Sequence, residues 1–173
     1  MDVLSHPNPA LKQVAARVDC ATETDLRDLC KTMARTMYDA PGVGLAAPQI
    51  GVLKRVIVYD IDEEKGSVIA LCNPEIVEAC EDVEVDDEGC LSLPGISVPV
   101  ERPVRVICQA QTISGAAVRI EAEGFHARIL QHEIDHLDGV LIIDRATPEE
   151  RKAALIRYRE AVEQGAKPGQ TSI

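Results

Sequence analysis

Residues 131–139 read QHEIDHLDG, a run that can bind a metal ion because it contains the HExxH pattern. On an α-helix, residues four apart lie about 40° apart around the axis and about 6 Å apart along it, so His132 and His136 can hold one ion. Glu133 stands beside the first ligand, where it is suited to hold a water molecule rather than the metal. The run predicts a metal site with a general base, although a solvated helix face can spell a lone HExxH by chance.

The third ligand decides which class of HExxH protein this is. A metzincin protease has a third histidine six residues after the second, where this chain has Ile142. A thermolysin-like protease needs a later glutamate, and Glu160 and Glu163 are more simply explained as solvated charges of a terminal helix. Cys90 is the better candidate, since a thiolate and two imidazoles form a tetrahedral set that leaves one position for water. Taken alone, such a cysteine is more often a buried core thiol.

A glycine-rich run, GVGLAAPQ at residues 42–49, precedes these motifs. Its start fits the loose GxGxxA pattern of dinucleotide-binding loops, but that pattern needs a strand before it and a helix after it. Here a predicted helix precedes the run, and Pro48 and a strand follow it. We therefore expect a tight loop that lets a substrate backbone come close, with Gln49 supplying an amide. An ordinary helix-to-strand turn explains the run equally well when it is considered alone.

The elements around these motifs predict an α+β fold. Helical spacing of apolar residues, capping residues and glycine stops predict three helices, at residues 24–38, from Gly124 through the HExxH motif, and from the Thr147–Glu150 capping box to about Gly165. Runs rich in β-branched residues predict strands at 55–61, 68–72, 104–111 and 117–122, and the alternation of Val83 and Val85 adds an acidic strand with one apolar face. The strands and helices do not alternate regularly, which argues against a parallel α/β fold.

Length and charge limit the remaining functions. A chain of 173 residues fits one domain, assigned here to residues 1–164, with a flexible tail at 165–173. The net charge of −11 argues against nucleic-acid binding. The start lacks the pattern of a signal peptide and no apolar run is long enough for a membrane span, so we expect a cytoplasmic protein with no membrane partner and with reduced cysteines.

The three runs GVGLAAPQ, EGCLSLP at residues 88–94 and QHEIDH resemble, in sequence and in order, the three signature motifs of the peptide deformylase family. This resemblance implies a central HExxH helix surrounded by antiparallel β-sheets, with N-terminal and C-terminal helices. It also implies one divalent metal ion held by Cys90, His132 and His136. In the family that ion is Fe(II) in the cell, and zinc, nickel or cobalt can substitute for it.

The same resemblance implies a reaction, in which the formyl group is hydrolysed from the N-terminal formyl-methionine of nascent polypeptides. Hydroxide generated at the metal is expected to attack the formyl carbon while Glu133 acts as general base and then as acid. Gln49 and the Leu91 N–H are expected to stabilise the oxyanion. The alternative is a zinc-dependent peptidase of another HExxH class, and a third hypothesis is a metal-binding module without catalysis.

Further roles follow from the resemblance or from local chemistry. The family implies a methionine pocket lined by Val43, Phe125 and Ile129, with Gly44 next to the substrate backbone. Arg128 is expected to cover this pocket with its aliphatic stem and to send its charged head to water. Glu88 is expected to pair with Arg102 and to brace the Cys90 loop. The last 29 residues carry six basic and four acidic side chains, so the terminal helix could also steer the protein to the ribosome.

Overall fold

The computed structural model describes residues 1–62 and 64–168 of the chain. They form four α-helices and seven β-strands. The helices are α1 (Leu26–Asp39), α2 (Gly124–Leu137), α3 (Ile142–Arg145) and α4 (Pro148–Glu163). The strands are β1 (Gly44–Ala46), β2 (Val56–Tyr59), β3 (Ile69–Ala79), β4 (Val83–Gly89), β5 (Ser97–Pro103), β6 (Arg105–Gln111) and β7 (Ala117–Glu123). The α+β prediction is confirmed, and the three helices predicted from spacing are α1, α2 and α4.

Five strands form one antiparallel sheet in the order β1-β2-β3-β6-β7, and β4 pairs with β5 in a separate antiparallel hairpin. All four residues of β2 are apolar and buried, whereas in β6 buried residues alternate with less buried ones. Both patterns agree with the β-branched composition of these strands. Neither β1 nor β5 was predicted from the sequence. The first has only three residues, and the second contains two prolines.

Strand β3 is longer than the sequence predicted, because it continues past Cys72 as far as Ala79. The register with β6 is irregular between Cys72 and Glu75, where Asn73 has a positive φ of 51° and is followed by a proline. The Asn73 side chain compensates for the interruption: its Nδ2 donates to Val18 O at 2.9 Å and its Oδ1 accepts from Val18 N at 2.9 Å. The strand therefore continues past Asn73 and Pro74, although a proline usually indicates the end of a strand.

The predicted acidic strand is β4, but Val83 and Val85 do not form a buried face. They are 50% and 59% exposed, whereas Glu88 near the end of the strand is fully buried. The hairpin packs against α2 and α4 through β5, whose Val98 and Val100 side chains are buried. One carboxylate of the acidic run is thus directed into the protein interior, towards the histidine helix.

The predicted flexible tail at residues 165–173 lies largely outside the described residues, because 169–173 are not described. Within the described part, Gly165 N and Ala166 N donate to Val162 O and Ala161 O and so continue the end of α4. The assignment of one domain to residues 1–164 remains a prediction.

Candidate metal centre and active site

Helix α2 carries the histidines at the centre of the molecule. It is apolar on more than one face, with buried side chains that include Ala127, Ile129, Leu130, Ile134 and Leu137, and such a helix must be surrounded by other elements. The helix ends just before Gly139, which has a φ of +72°. A Cβ atom at this position would lie 2.6 Å from Lys12 O. Only glycine allows both the turn and the close contact with the N-terminal segment.

Cys90, His132 and His136 converge in the interior, as the sequence predicted. The distance from Cys90 Sγ to His136 Nε2 is 3.4 Å, and that from His136 Nε2 to His132 Nε2 is 3.2 Å. One ligand atom from each residue lies within 4.8 Å of the others, and all three residues are buried. Ligands of a tetrahedral ion are roughly 3.3 to 3.6 Å apart when bonds to nitrogen and sulfur have their usual lengths. The donor set and its spacing therefore fit one divalent metal ion.

Glu88 orients the first histidine. Its Oε2 lies 2.9 Å from His132 Nδ1, so the Nδ1 proton is shared with the carboxylate and Nε2 is left free to face the cluster. Arg102 donates to the same carboxylate twice, from Nε at 2.7 Å and from Nη2 at 2.9 Å. Burial by itself would raise the pKa of Glu88, but the hydrogen bonds from Arg102 and His132 outweigh it and hold this pKa well below its usual range. The expected Glu88–Arg102 pair is confirmed, and it is buried rather than solvated.

The expectation that the Arg128 head lies in water is wrong. Arg128 is only 7% exposed, and its Nη1 donates to Glu88 Oε1 at 2.8 Å and to Val100 O at 2.9 Å. Its Nη2 donates to Glu84 O at 3.0 Å. The β4–β5 hairpin supplies all three acceptors, and they offset the cost of burying the charge.

Asp135 extends this buried network, although the sequence did not predict a role for it. Its Oδ2 accepts from Arg102 Nη1 at 2.8 Å and from Arg145 Nε at 3.0 Å. Asp135 is one of the variable positions inside HExxH, so the only signal in the sequence was a charged residue on a helix predicted to be central.

Glu133 is suited to exchange protons. It is 2% exposed, and no described residue gives its Oε2 a hydrogen-bond partner. Burial raises the pKa of Glu133 to about 7, although the charge of His132 opposes this change. Gly44 passes directly over the carboxylate, and a Cβ atom on Gly44 would lie 2.3 Å from Glu133 Oε1. The glycine-rich run thus lies where it leaves room for this side chain.

Gln49 and Leu91 line the same small cavity as Cys90 and His132. Gln49 Oε1 accepts from Ala46 N at 2.9 Å, which directs its Nε2 towards Cys90 Sγ at 3.8 Å and Ser92 Oγ at 3.2 Å. Ser92 was not identified from the sequence. Leu91 follows the cysteine in a turn, and within residues 1–62 and 64–168 no group accepts a hydrogen bond from its N–H. Two N–H donors therefore lie next to the metal ligands, and the one on Leu91 has no acceptor among the described residues.

A small cavity brings most of the predicted residues together, and its lining comprises Val43, Gly44, Gln49, Gly89, Cys90, Leu91, His132 and Glu133. Two of the predicted pocket residues lie outside this lining. Ile129 is fully buried in the cluster against which Val43 packs, and Phe125 is 50% exposed on the first turn of α2.

Several known proteins that resemble this chain are described as peptide deformylases. The family described as polypeptide deformylase matches residues 1–152. A peptide deformylase of Thermodesulfovibrio yellowstonii is 45% identical over 88% of this chain and 92% of its own length. That of Rhizobium meliloti is 43% identical over 93% of this chain and 94% of its own length.

Solved structures agree. The crystal structure of a peptide deformylase from Legionella pneumophila is 40% identical and superposes with a TM-score of 0.87 over 94% of this chain and 95% of that one. A peptide deformylase from Synechococcus elongatus, in complex with actinonin, is 39% identical with a TM-score of 0.85 over 97% of this chain and 90% of its own. In the described part of the chain, no helix has the length and the apolar character needed to cross a membrane.

Proposed function

Since this chain belongs to the polypeptide deformylase family, we propose that Cys90, His132, His136 and Glu133 carry out the family's reaction in it. The protein is a metal-dependent hydrolase that removes the N-formyl group from newly synthesised polypeptides. Its relatives do not support a peptidase of another HExxH class. The single observation that carries the assignment of roles is the convergence of one thiol and two imidazoles beside the buried Glu133, whose Oε2 has no hydrogen-bond partner among the described residues.

The reaction joins water to a formyl amide and yields formate and a free amine. A divalent ion held by Cys90, His132 and His136 would lower the pKa of water and polarise the formyl oxygen. Glu133 takes a proton from the attacking water at Oε2 and delivers it to the amine nitrogen as the carbon–nitrogen bond breaks. Its burial stabilises the protonated carboxyl between these two transfers.

Gln49 Nε2 and the Leu91 N–H serve as donors to the formyl oxygen as it gains negative charge. Exchanging Gln49 for glutamate tests this role, because Gln49→Glu keeps an oxygen for the Ala46 N–H and removes the donor. We expect kcat to fall by roughly 100- to 1,000-fold with little change in KM. An unchanged kcat would exclude Gln49 from this role.

The methionine side chain of the substrate would lie near Val43 and Ile129, with Phe125 at the outer rim and Gly44 against the substrate backbone. This proposal rests on Val43 and Gly44, which line the cavity next to Glu133, and on the packing of Val43 against the cluster that contains Ile129.

The native ion is proposed to be Fe(II), with zinc, nickel or cobalt as substitutes. Purification without oxygen, followed by elemental analysis, tests the identity of the ion.

The decisive experiment measures formate released from a formyl-methionyl peptide. Glu133→Gln should reduce the rate at least about 100-fold while a stoichiometric metal ion stays bound. The matched control is Glu149→Gln, which changes an exposed glutamate at the start of α4 and should retain the wild-type rate. Full activity of Glu133→Gln would show that another group is the base.

Because the substrate is a nascent chain, we place the protein in the cytoplasm and propose that α4 contacts the ribosome. Lys152 and Arg159 are exposed on this helix. The double variant Lys152→Glu/Arg159→Glu should co-sediment less with ribosomes at low salt, whereas Arg27→Glu/Arg35→Glu on α1 should not. Equal co-sedimentation of both variants would leave α4 without this role, and a further variant that lacks residues 165–173 tests the tail.

A further inference from the structure

Two elements supply the ligands of the proposed metal site, and two buried arginines join them. Helix α2 carries His132 and His136, and strand β4 leads directly into Cys90. Arg102 extends from the hairpin to α2, where its Nη1 donates to Asp135 Oδ2 at 2.8 Å. Arg128 extends in the opposite direction, from α2 to the hairpin. The two side chains form a reciprocal connection across the interface that contains the site.

Arg128 makes the more extensive connection to the hairpin. One guanidinium contacts a carboxylate oxygen of Glu88 and the main-chain oxygens of Val100 and Glu84, at 2.8, 2.9 and 3.0 Å. These acceptors lie on both strands of the hairpin. The planar fork of an arginine can satisfy several acceptors in fixed directions, which a lysine cannot do.

The contact with Glu88 relates Arg128 to the chemistry. Glu88 receives four hydrogen bonds, two from Arg102, one from Arg128 and one from His132 Nδ1. Oε1 faces Arg128 and Oε2 faces the histidine. A contact that holds Oε1 in place therefore fixes the rotation of the carboxylate and with it the position of Oε2. A carboxylate that orients a metal-bound histidine typically changes metal affinity or activity 10- to 100-fold when it is altered.

We propose that Arg128 is a positioning residue of the deformylase reaction. It acts through Glu88 on the His132 imidazole and through the hairpin on the segment that ends in Cys90. This inference rests on the proposed function, because it takes these two residues as metal ligands. It assigns the buried charge on α2 a role in the geometry of the site rather than in the recognition of the methionine side chain.

The test compares Arg128→Met, Arg128→Lys and the wild type after loading with Co(II), whose thiolate charge-transfer and d–d absorption bands report ligand geometry. All measurements are made well below the unfolding temperature of the least stable variant. We expect Arg128→Met to bind Co(II) 10- to 100-fold more weakly in competition with a chelator, to show shifted d–d bands, and to lose kcat more than it raises KM. Arg128→Lys should lie between this variant and the wild type.

A control variant, Arg119→Met, removes an arginine that is exposed on β7 and that, among the described residues, pairs only with Glu78. It should match the wild type in Co(II) affinity, absorption and kcat. If Arg128→Met is not folded, Arg128→Lys alone decides, because wild-type affinity and absorption in that variant would overturn the proposal. A lower unfolding temperature with unchanged Co(II) affinity, absorption and kcat would also overturn it and leave Arg128 a purely structural residue.

The failure of this inference can be distinguished from the failure of the proposed function. Wild-type protein without a thiolate-to-Co(II) band would contradict the ligand set itself. A wild-type band that is unaltered in the Arg128 variants would contradict only the role of Arg128.

Discussion

Gly44 shows how the space around a single backbone position can determine where a catalytic side chain lies, in this case that of Glu133. The carboxylate occupies the space that a Cβ atom on residue 44 would need, with separations of 2.3 Å to Oε1 and 2.8 Å to Cδ. Gly44 does not have a positive φ, so the requirement for glycine comes from the contact and not from backbone strain. A glycine at position 44 is therefore needed to leave space for the carboxylate of Glu133, the proposed general base.

Gly44→Ala should consequently displace the Glu133 carboxylate and reduce kcat for formate release by roughly 100-fold, the usual effect of moving a catalytic group by about 1 Å. The unfolding temperature serves as the control, since the displaced side chain borders a cavity and need not disturb the core. Retention of wild-type kcat in a normally folded Gly44→Ala protein would contradict the proposed place of Glu133 in the reaction.

The sequence predicted single residues well where helical spacing or a local motif determines their position. His132 and His136 come together because they are four apart on one helix, and Cys90 was chosen by the chemistry of its thiol. Arg128 could not be placed in this way. Its three acceptors are 28 to 44 residues away along the chain and belong to a hairpin whose second strand was not predicted. Only the packing of that hairpin on α2 makes burial of the charge tolerable.

At the scale of elements, helix α4 begins where its capping residues predict. Thr147 has extended backbone angles, its side chain accepts from Glu150 N at 3.2 Å, and Pro148 occupies the first turn. By contrast, Asp25 before α1 makes no side-chain hydrogen bond to its helix. A cap that is formed, rather than one suggested by composition, should contribute to stability.

Thr147→Ala should lower the free energy of unfolding by about 1 kcal/mol and leave formate release unchanged, because α4 contributes no residue to the cavity. The matched control is Thr24→Ala, an exposed threonine just before α1, for which a change of less than about 0.5 kcal/mol is expected. Urea unfolding measures both variants. Equal values for the two would show that the Thr147 hydroxyl does not cap the helix.

A carboxylate ties the end of α1 to the connection between β2 and β3. Asp60, which follows β2 and is fully buried by its neighbours, accepts from the Tyr38 hydroxyl and from the backbone N–H groups of Asp62, Gly66 and Ser67. The hydrogen bond from Tyr38 is the main reason why the pKa of Asp60 falls to about 2, and the backbone donors add to it while burial opposes it. The connection depends on the ionised carboxylate.

This shift predicts how stability changes with pH. An aspartate has a pKa of about 3.9 in the unfolded chain, so the stabilisation by ionised Asp60 is complete above about pH 4 and is lost as the pH falls towards 2. Asp60→Asn should be less stable than wild type at pH 7, and the difference in urea midpoint should shrink between pH 4 and pH 2. The exposed Asp2, changed to asparagine, should show no such trend. A constant Asp60→Asn difference would refute the shift.

In the molecule as a whole, three apolar clusters meet at the proposed metal site. Leu91 belongs to the cluster that contains Met33 and Met37 of α1. The α2 residues Ile134 and Leu137 pack with the large sheet in a second cluster, and Cys90 belongs to a third with the hairpin and α4. Consecutive residues 90 and 91 thus lie in different clusters. The sequence predicted α1, α2, α4 and most strands of these clusters, but not β1, β5 or this junction, which follows from how the sheet, hairpin and helices pack.

A metal ion held by Cys90 and the two histidines would join the second cluster to the third, so its removal should weaken the whole fold and not only the reaction. An ion that binds only the folded state adds about 2.7 kcal/mol when its free concentration is 100 times its Kd. Stripping the ion with a chelator should therefore lower the unfolding temperature, and Cys90→Ala should be less stable and nearly insensitive to added Co(II). Cys80→Ser keeps a group that can contact Asp82 O and should respond to Co(II) like the wild type. Cys90→Ala removes the sulfur donor from the proposed ligand set. If this variant responds to Co(II) as strongly as the wild type does, the ion binds elsewhere.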